Sequence, residues 1–325
     1  MVLDARDVIS MIKSNMEEKG LPLPIDKSVI YEWSKGLDLP KSGDYLLYTG
    51  GLYQLLPYIE SLVNQLEKVE KSKAGGLALR FAKKVMKIVD VSKLVSKPDK
   101  EVKEYADKVL KSITILLKEA GISFYYDPEL DGYSGALLYD MGLVKSFKRH
   151  AENVYRLLNE KGVKRVITID PHTTHMLRSV YPKVVPGYNL EVKSYLELLA
   201  ERTDSLRFRG GSAGPVVIHD PCLYARFENV LEEPRKLLSA AGYEVREPRR
   251  SGKLTYCCGG PVESLAPTLS KKIASNRIEE LKEYASTVAT LCPICFANLH
   301  RVAPSNVRVV DISILLVERL ETHGS

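Results

Sequence analysis

An internal repeat restricts the fold of this chain more than any other feature. Three segments of the first half recur, in order, in the second. Tyr48-Thr-Gly-Gly-Leu-Tyr53 answers to His219-Asp-Pro-Cys-Leu-Tyr224. Gly132-Tyr-Ser-Gly135 stands where Tyr256-Cys-Cys-Gly259 stands, and Ile167-Thr-Ile-Asp-Pro-His-Thr173 matches Ala289-Thr-Leu-Cys-Pro-Ile-Cys295. Such self-similarity means one supersecondary unit used twice. Within each unit, short β-branched runs alternate with longer amphipathic stretches, the pattern of βα units and parallel sheets. Strands are expected at 45–49, 123–126, 165–170, 184–188, 216–220, 243–247, 287–291 and 307–310. Helices are expected at 52–70, 100–120, 143–161, 190–202, 232–241, 266–284 and 312–321. Each half should close on a strand and a helix, over 184–201 and 307–321. The expected class is therefore α/β, with two pseudo-symmetric domains, each a small parallel sheet flanked by helices. An arm over 1–43 should precede a first domain over 44–207, which carries a Lys-rich helical insertion at 62–107. The second domain, 208–325, would begin near Gly210, Gly211 and Gly214, whose flexibility suits a boundary.

Composition narrows the class without choosing a function. With 325 residues, 45% hydrophobic and 27% charged, the chain can bury two ordinary cores. It has no apolar run of membrane-spanning length. Residues 1–13 place Asp4, Arg6 and Asp7 in an alternating polar pattern unlike a secretory signal, so a cytoplasmic location is expected, either free or peripheral on a membrane complex. The formal charge of +6 is spread among lysines with glutamates between them, and no basic stripe with interleaved aromatics suggests nucleic acid.

All five cysteines, Cys222, Cys257, Cys258, Cys292 and Cys295, lie in the second half. An odd, clustered set without a secretory signal argues for metal rather than a disulfide framework. The repeat aligns them with Gly51, Tyr133, Ser134, Asp170 and Thr173, none of which can supply a thiolate. The first half thus keeps the fold without the sulfur ligands. Each cysteine group follows an expected strand, and in an open parallel sheet the carboxyl ends of neighbouring strands converge on one crevice. Soft thiolates select zinc, copper(I) or iron–sulfur clusters. Structural zinc favours four ligands in paired knuckles, whereas here there are one Cys-x-x-Cys, one adjacent pair and one single cysteine. The set suits an iron–sulfur cluster, with zinc as the alternative. A redox dithiol at Cys292 and Cys295 would leave the other three unexplained.

Cys222, 34 residues, Cys257-Cys258-Gly259, 32 residues and Cys292-x-x-Cys295 resemble the cysteine-rich CCG motif. That motif marks the B and D subunits of heterodisulfide reductase and related iron–sulfur subunits of glycolate, lactate and glycerol-3-phosphate dehydrogenases. His219-Asp-Pro-Cys-Leu-Tyr-Ala-Arg226, with Glu233-Pro-Arg235 after it, is similar to the family's segment around its first cysteine. The resemblance implies a noncubane 4Fe–4S cluster held by all five cysteines, in an electron-transfer subunit of a heterodisulfide reductase-like complex rather than a self-contained enzyme. A disulfide or thiol reductase acting at the cluster is the catalytic alternative, and a zinc-stabilised assembly protein the non-redox one. The implied partners are a ferredoxin-like iron–sulfur subunit (heterodisulfide reductase C-like), a flavoprotein, or a quinone-linked or disulfide acceptor. Heterodisulfide reductase B subunits carry two intact motifs and this chain one. The ferredoxin-like Cys-x2-Cys-x2-Cys-x3-Cys-Pro segment of many relatives is also absent from this sequence.

Other residues invite a reading. His219, Asp220 and Arg226 surround Cys222 in sequence and are candidates for hydrogen bonds or charge near the sulfurs, with Arg235 a further cation. Asp170, His172 and His175 could form a rebuilt mononuclear site, though packing of a decayed loop is the simpler expectation. His300 is expected on a helix surface and Trp33 as a packing anchor for the arm, while Gly50-Gly51 lacks the rest of a phosphate loop.

Overall fold

Two four-stranded parallel sheets carry the fold, in a computed structural model that describes residues 5–71, 98–263 and 265–321. The first contains β1 (Tyr45–Tyr48), β2 (Phe124–Tyr125), β3 (Arg165–Thr168) and β4 (Glu191–Ser194), in the order β2-β1-β3-β4. The second contains β5 (Gly214–Ile218), β6 (Tyr243–Arg246), β7 (Thr287–Thr290) and β8 (Arg308–Asp311), in the order β6-β5-β7-β8. The two orders are identical, which is the repeat expressed as topology. Helices cover both faces of each sheet, so the inner strands are apolar on both sides, as Leu46, Leu47, Val166 and Ile167 are in one sheet and Val217, Ile218, Val288 and Ala289 in the other. In each sheet the chain steps outward once, then crosses back past its first strand. Direction therefore reverses between β1 and β3 and between β5 and β7, and loops leaving a parallel sheet at such a reversal diverge to leave a crevice.

A reciprocal pair of hydrogen bonds ties the halves together. The Tyr53 hydroxyl donates to Asp311 Oδ2 across 2.6 Å, and the Tyr224 hydroxyl lies 2.9 Å from Ser194 Oγ. Tyr53 and Tyr224 are equivalent in the repeat, and Ser194 and Asp311 occupy the same place at the end of β4 and β8. Each of the latter also caps the helix that follows, Tyr195–Glu201 or Ile312–Arg319. Around these bonds lies a core shared by both halves, including Leu47, Ile167, Tyr195, Ile218, Ala289 and Ile312. Helix Lys100–Glu119, capped by Asp99, buries Ala106, Val109, Leu110, Ile113 and Leu117 at helical spacing in that core. Its Tyr105 stacks on Phe296 with centroids 3.9 Å apart. Residues 72–97 of the expected insertion lie outside the described residues. In the arm, helix Ala5–Lys19 buries Val8, Ile12 and Met16, and Trp33 is buried against Tyr126 at 5.1 Å.

One expected strand is displaced. Over 184–188 the chain instead finishes a helical turn, Tyr181–Val184, and bends through Pro186 and Gly187, whose φ is +73°. Pro186 has no N–H to give a ladder, and β-branched Val185 is buried at the bend. The closing strand is β4, whose four residues pair with β3 from Arg165↔Glu191 to Thr168↔Ser194. It takes the first residues of the expected helix over 190–202, which starts at Tyr195.

Candidate metal centre

The five thiols arrive on three loops at the carboxyl end of the second sheet. Cys222 follows β5, Cys257 and Cys258 follow β6, and Cys292 and Cys295 follow β7. Cys292 stands at the N-cap of helix Pro293–His300, with Pro293 in its first turn, so Cys295 lies within that turn near the helix's electropositive end. All five cysteines are free, with Cys258, Cys292 and Cys295 buried and Cys222 and Cys257 half-buried.

Two glycines explain how adjacent cysteines reach the site. Gly259 has φ +90°, and a Cβ there would lie 2.5 Å from the carbonyl oxygen of Ser270. A Cβ on Gly260 would lie 2.2 Å from Ile294 Cγ2, inside the Cys-x-x-Cys turn. Gly260 thus lets the two cysteine loops approach, and Gly259 lets its turn pass against helix Pro267–Lys282. The equivalent Gly135 of the first half keeps a φ of +78°, so the turn survives there without its sulfurs.

Asp220, Arg226 and Arg235 brace the wall of the site through hydrogen bonds. Arg235 holds Asp220 through two bonds of 2.9 and 3.0 Å and also grips Glu247. Asp220 accepts from Gly252 N at 2.7 Å, and its carbonyl accepts from Thr255 Oγ1 at 3.0 Å. Arg226 donates to the carbonyls of Lys253 and Thr255. Together these bonds fix the loop that delivers Cys257. His300 is exposed at the end of its helix, stacked on Phe296 at 5.0 Å.

His219 does reach the sulfurs. One of its ring nitrogens, Cys258 Sγ and Cys295 Sγ all lie within 4.8 Å of one another. The fully buried Arg277 donates from Nε to His219 Nδ1 across 3.1 Å. A guanidinium has no acceptor, so Nδ1 must carry the lone pair and the neutral ring's proton sits on Nε2. In this arrangement His219 offers a sulfur an N–H, not a lone pair to a metal. Arg277 went unnoticed in the sequence. Its signal was a lone arginine in register with Ala274, Ile278 and Leu281 on the buried face of helix Pro267–Lys282.

The first half contributes His172. Its Nδ1 lies 3.8 Å from Cys292 Sγ and 3.9 Å from Asp170 Oδ1. His175 turns away, its Nδ1 2.6 Å from Glu228 Oε1, and Asp170 uses Oδ1 to cap its own helix through His172 N and Thr173 N. Asp170, His172 and His175 therefore do not converge as a mononuclear site. The side chains aligned with three of the cysteines end in buried oxygens without partners, namely Ser134 Oγ, Asp170 Oδ2 and Thr173 Oγ1.

Charge is shared unevenly among the sulfurs. Hydrogen bonds from Cys257 and Cys295, with His219 beside it, hold the Cys258 thiol well below its usual range. At Cys292 burial acts upward, but Cys295 and His172 outweigh it and bring the thiol to about 6. Burial would lower His172, yet Cys292 and Asp170 draw it up to about 9. Cys257 and Cys295 are pushed up by their bonds to Cys258, and Cys222 rises to about 11, chiefly through burial. Five buried or half-buried thiols cannot all ionise unless cations enter among them. The donor set, all soft sulfur on three loops with N–H groups behind it, fits an iron–sulfur cluster better than one tetrahedral zinc.

Beneath the centre, Asn298 on the cysteine-bearing helix donates to buried Glu263 at 2.7 Å. Burial, with Glu60 nearby, pushes Glu263 up to about 7 against Arg301 and Asn298. The folded state therefore holds a proton that the unfolded chain releases near the ordinary glutamate range. Stability should fall as pH rises from about 4.5 to 7, by up to about 3 kcal/mol. Urea unfolding across that range checks this, and Glu263→Gln should flatten the slope.

Residues 216–300 match the cysteine-rich domain of the CCG family. The chain is 28% identical over 224 residues to the probable iron-sulfur-binding oxidoreductase FadF of Bacillus subtilis, covering 66% of this chain and 32% of that protein. It is 26% identical over 231 residues to the EtfAB:quinone oxidoreductase of Syntrophomonas wolfei, covering 66% and 32%. With a fumarate reductase (CoM/CoB) subunit of Methanothermobacter marburgensis it shares 30% identity over 164 residues, covering 48% and 32%. The chain thus spans about a third of the length of these relatives. The paired cysteines closed by Gly259 and the Cys292-x-x-Cys295 turn both lie in the segment 216–300 that matches the cysteine-rich CCG domain.

Proposed function

We propose that this chain is an iron–sulfur electron-transfer subunit of a heterodisulfide reductase-like oxidoreductase complex, with Cys222, Cys257, Cys258, Cys292 and Cys295 holding one noncubane 4Fe–4S cluster. The observation that carries the reading is five free thiols on the three loops that leave one end of the second sheet, with Cys258 and Cys295 gathered about His219 and Cys292 beside His172. A cluster bound there supplies storage of single electrons. The protein supplies thiolate ligation, burial and hydrogen bonds to sulfur, the factors that set cluster potential. The relatives named as an iron-sulfur-binding oxidoreductase and an EtfAB:quinone oxidoreductase agree with a redox role. A relay is favoured over reduction of a disulfide shared between two clusters, because the first half offers oxygens where the second offers sulfurs. No helix among the described residues is long and apolar enough to cross a membrane, and the proposed place is cytoplasmic, free or on the face of a membrane complex.

The test is iron, zinc and acid-labile sulfide per chain in anaerobically purified protein. About four irons and four sulfides are expected. One zinc without sulfide would replace this reading with a structural metal site.

A further inference from the structure

The three aromatic and aliphatic side chains Phe227, Leu254 and Tyr256 are 63%, 70% and 46% exposed. They are not scattered. Arg226 donates to the carbonyls of Lys253 and Thr255 at 3.3 and 2.6 Å, which pins the segment bearing Leu254 and Tyr256 to the turn bearing Phe227. Tyr256 immediately precedes Cys257. Cys222 begins the turn that leads to Arg226. These two are the half-buried cysteines, the other three being buried. The two cysteines nearest solvent therefore adjoin, in the chain, the residues of this apolar patch.

Cations line it, and the carboxylate that meets Arg250, that of Glu280, accepts from its backbone N–H. Arg226 and Lys253 are exposed, and the Arg250 guanidinium lies 4.3 Å from the centroid of the Tyr256 ring. The hydrogen bonds of Arg226 go to carbonyls, and among the described residues none of these three cations has a carboxylate within ion-pair distance. An apolar centre with a ring of one sign is the form of a surface that meets a partner of the opposite sign, where charge speeds encounter and fixes orientation.

Resting on the redox reading above, we propose that Phe227, Leu254 and Tyr256, ringed by Arg226, Arg250 and Lys253, form the docking surface for a redox protein with an acidic face. A cluster held by the cysteines would then present its Cys222 and Cys257 side to that partner.

The probe is a fluorescently labelled plant-type ferredoxin, a small acidic iron–sulfur protein, titrated with the full chain and read by anisotropy. Basic cytochrome c serves as the control. Binding of the ferredoxin is expected to weaken about tenfold between 20 and 200 mM salt. Arg250→Glu with Lys253→Glu should weaken it about tenfold at low salt, and Leu254→Ser about threefold at any salt. Circular dichroism of each variant should match the parent, since Lys253 and Leu254 are exposed and Arg250 packs on the exposed Tyr256 ring. Salt-independent binding, equal binding of cytochrome c, no binding, or full binding by the charge-reversed variant would overturn the proposal. Iron and sulfide are assayed on the same samples. Absent iron with charge-dependent binding overturns the redox reading and leaves the acidic-partner surface standing, whereas four irons with charge-independent binding overturns the surface alone.

Discussion

Cys258→Ser protein purified without oxygen is expected to hold less than one iron per chain, against about four in the parent. Cys258 is a meeting point of the cysteine set. It is buried, shares hydrogen bonds with Cys257 and Cys295, and lies within 4.8 Å of the latter's sulfur and of a His219 nitrogen. Its thiol is the one driven furthest toward thiolate, so it is the sulfur best prepared to bind metal. A serine oxygen there is a hard donor that stays protonated at neutral pH, and it cannot replace a soft sulfur between the two other cysteine loops. Iron and sulfide analysis with visible absorption checks the result, and far-UV circular dichroism confirms that the variant has folded. A variant retaining four irons would remove Cys258 from the ligand set.

Asp131→Ala should lower unfolding free energy by about 3–5 kcal/mol, measured by urea denaturation. Asp131 is 1% exposed and accepts from four donors. Thr49 N and Thr49 Oγ1 donate at 2.9 and 2.6 Å, Tyr126 OH at 3.1 Å and Gly132 N at 3.0 Å. This one carboxylate ties the loop after β1 to the loop after β2, the first-half counterparts of the loops that carry Cys222 and Cys257. Alanine would leave the buried Thr49 N–H and the half-buried Gly132 N–H without acceptors, and loss of a buried acceptor costs more than the bond contributes when made. Asp131→Asn keeps one acceptor oxygen and should cost about half as much. An alanine variant within about 1 kcal/mol of the parent would show that the first-half loops rearrange freely.

The two predictions address different halves for a physical reason. The first half has kept its backbone turns, seen in Gly135, while Ser134, Asp170 and Thr173 occupy the positions of three cysteines. It is held by hydrogen bonds such as those of Asp131, and it meets the second half through Tyr53, Ser194 and His172. The half without sulfurs thus still closes one side of the centre.

The repeat, the class of fold and the three cysteine loops were legible in the sequence, because βα periodicity is local and because the cysteines lie beside their strands and turns. The displaced strand at 184–188 was not legible. A β-branched pair satisfies strand and buried bend alike, and only pairing with β3 decides for Glu191–Ser194. His219, Asp220, Arg226 and Arg235 stood out by their nearness to Cys222, but their roles depended on direction. Asp220 and the two arginines brace a loop, while His219 faces the sulfurs. Arg277 and His172 come from positions 58 and 120 residues distant from their partners. The sequence by itself determined the parallel-sheet architecture and which half holds the thiols, since periodicity and residue type are carried locally. Tertiary structure alone decided which N–H groups face those thiols, because packing of distant segments orients side chains and so sets their hydrogen bonds and charge.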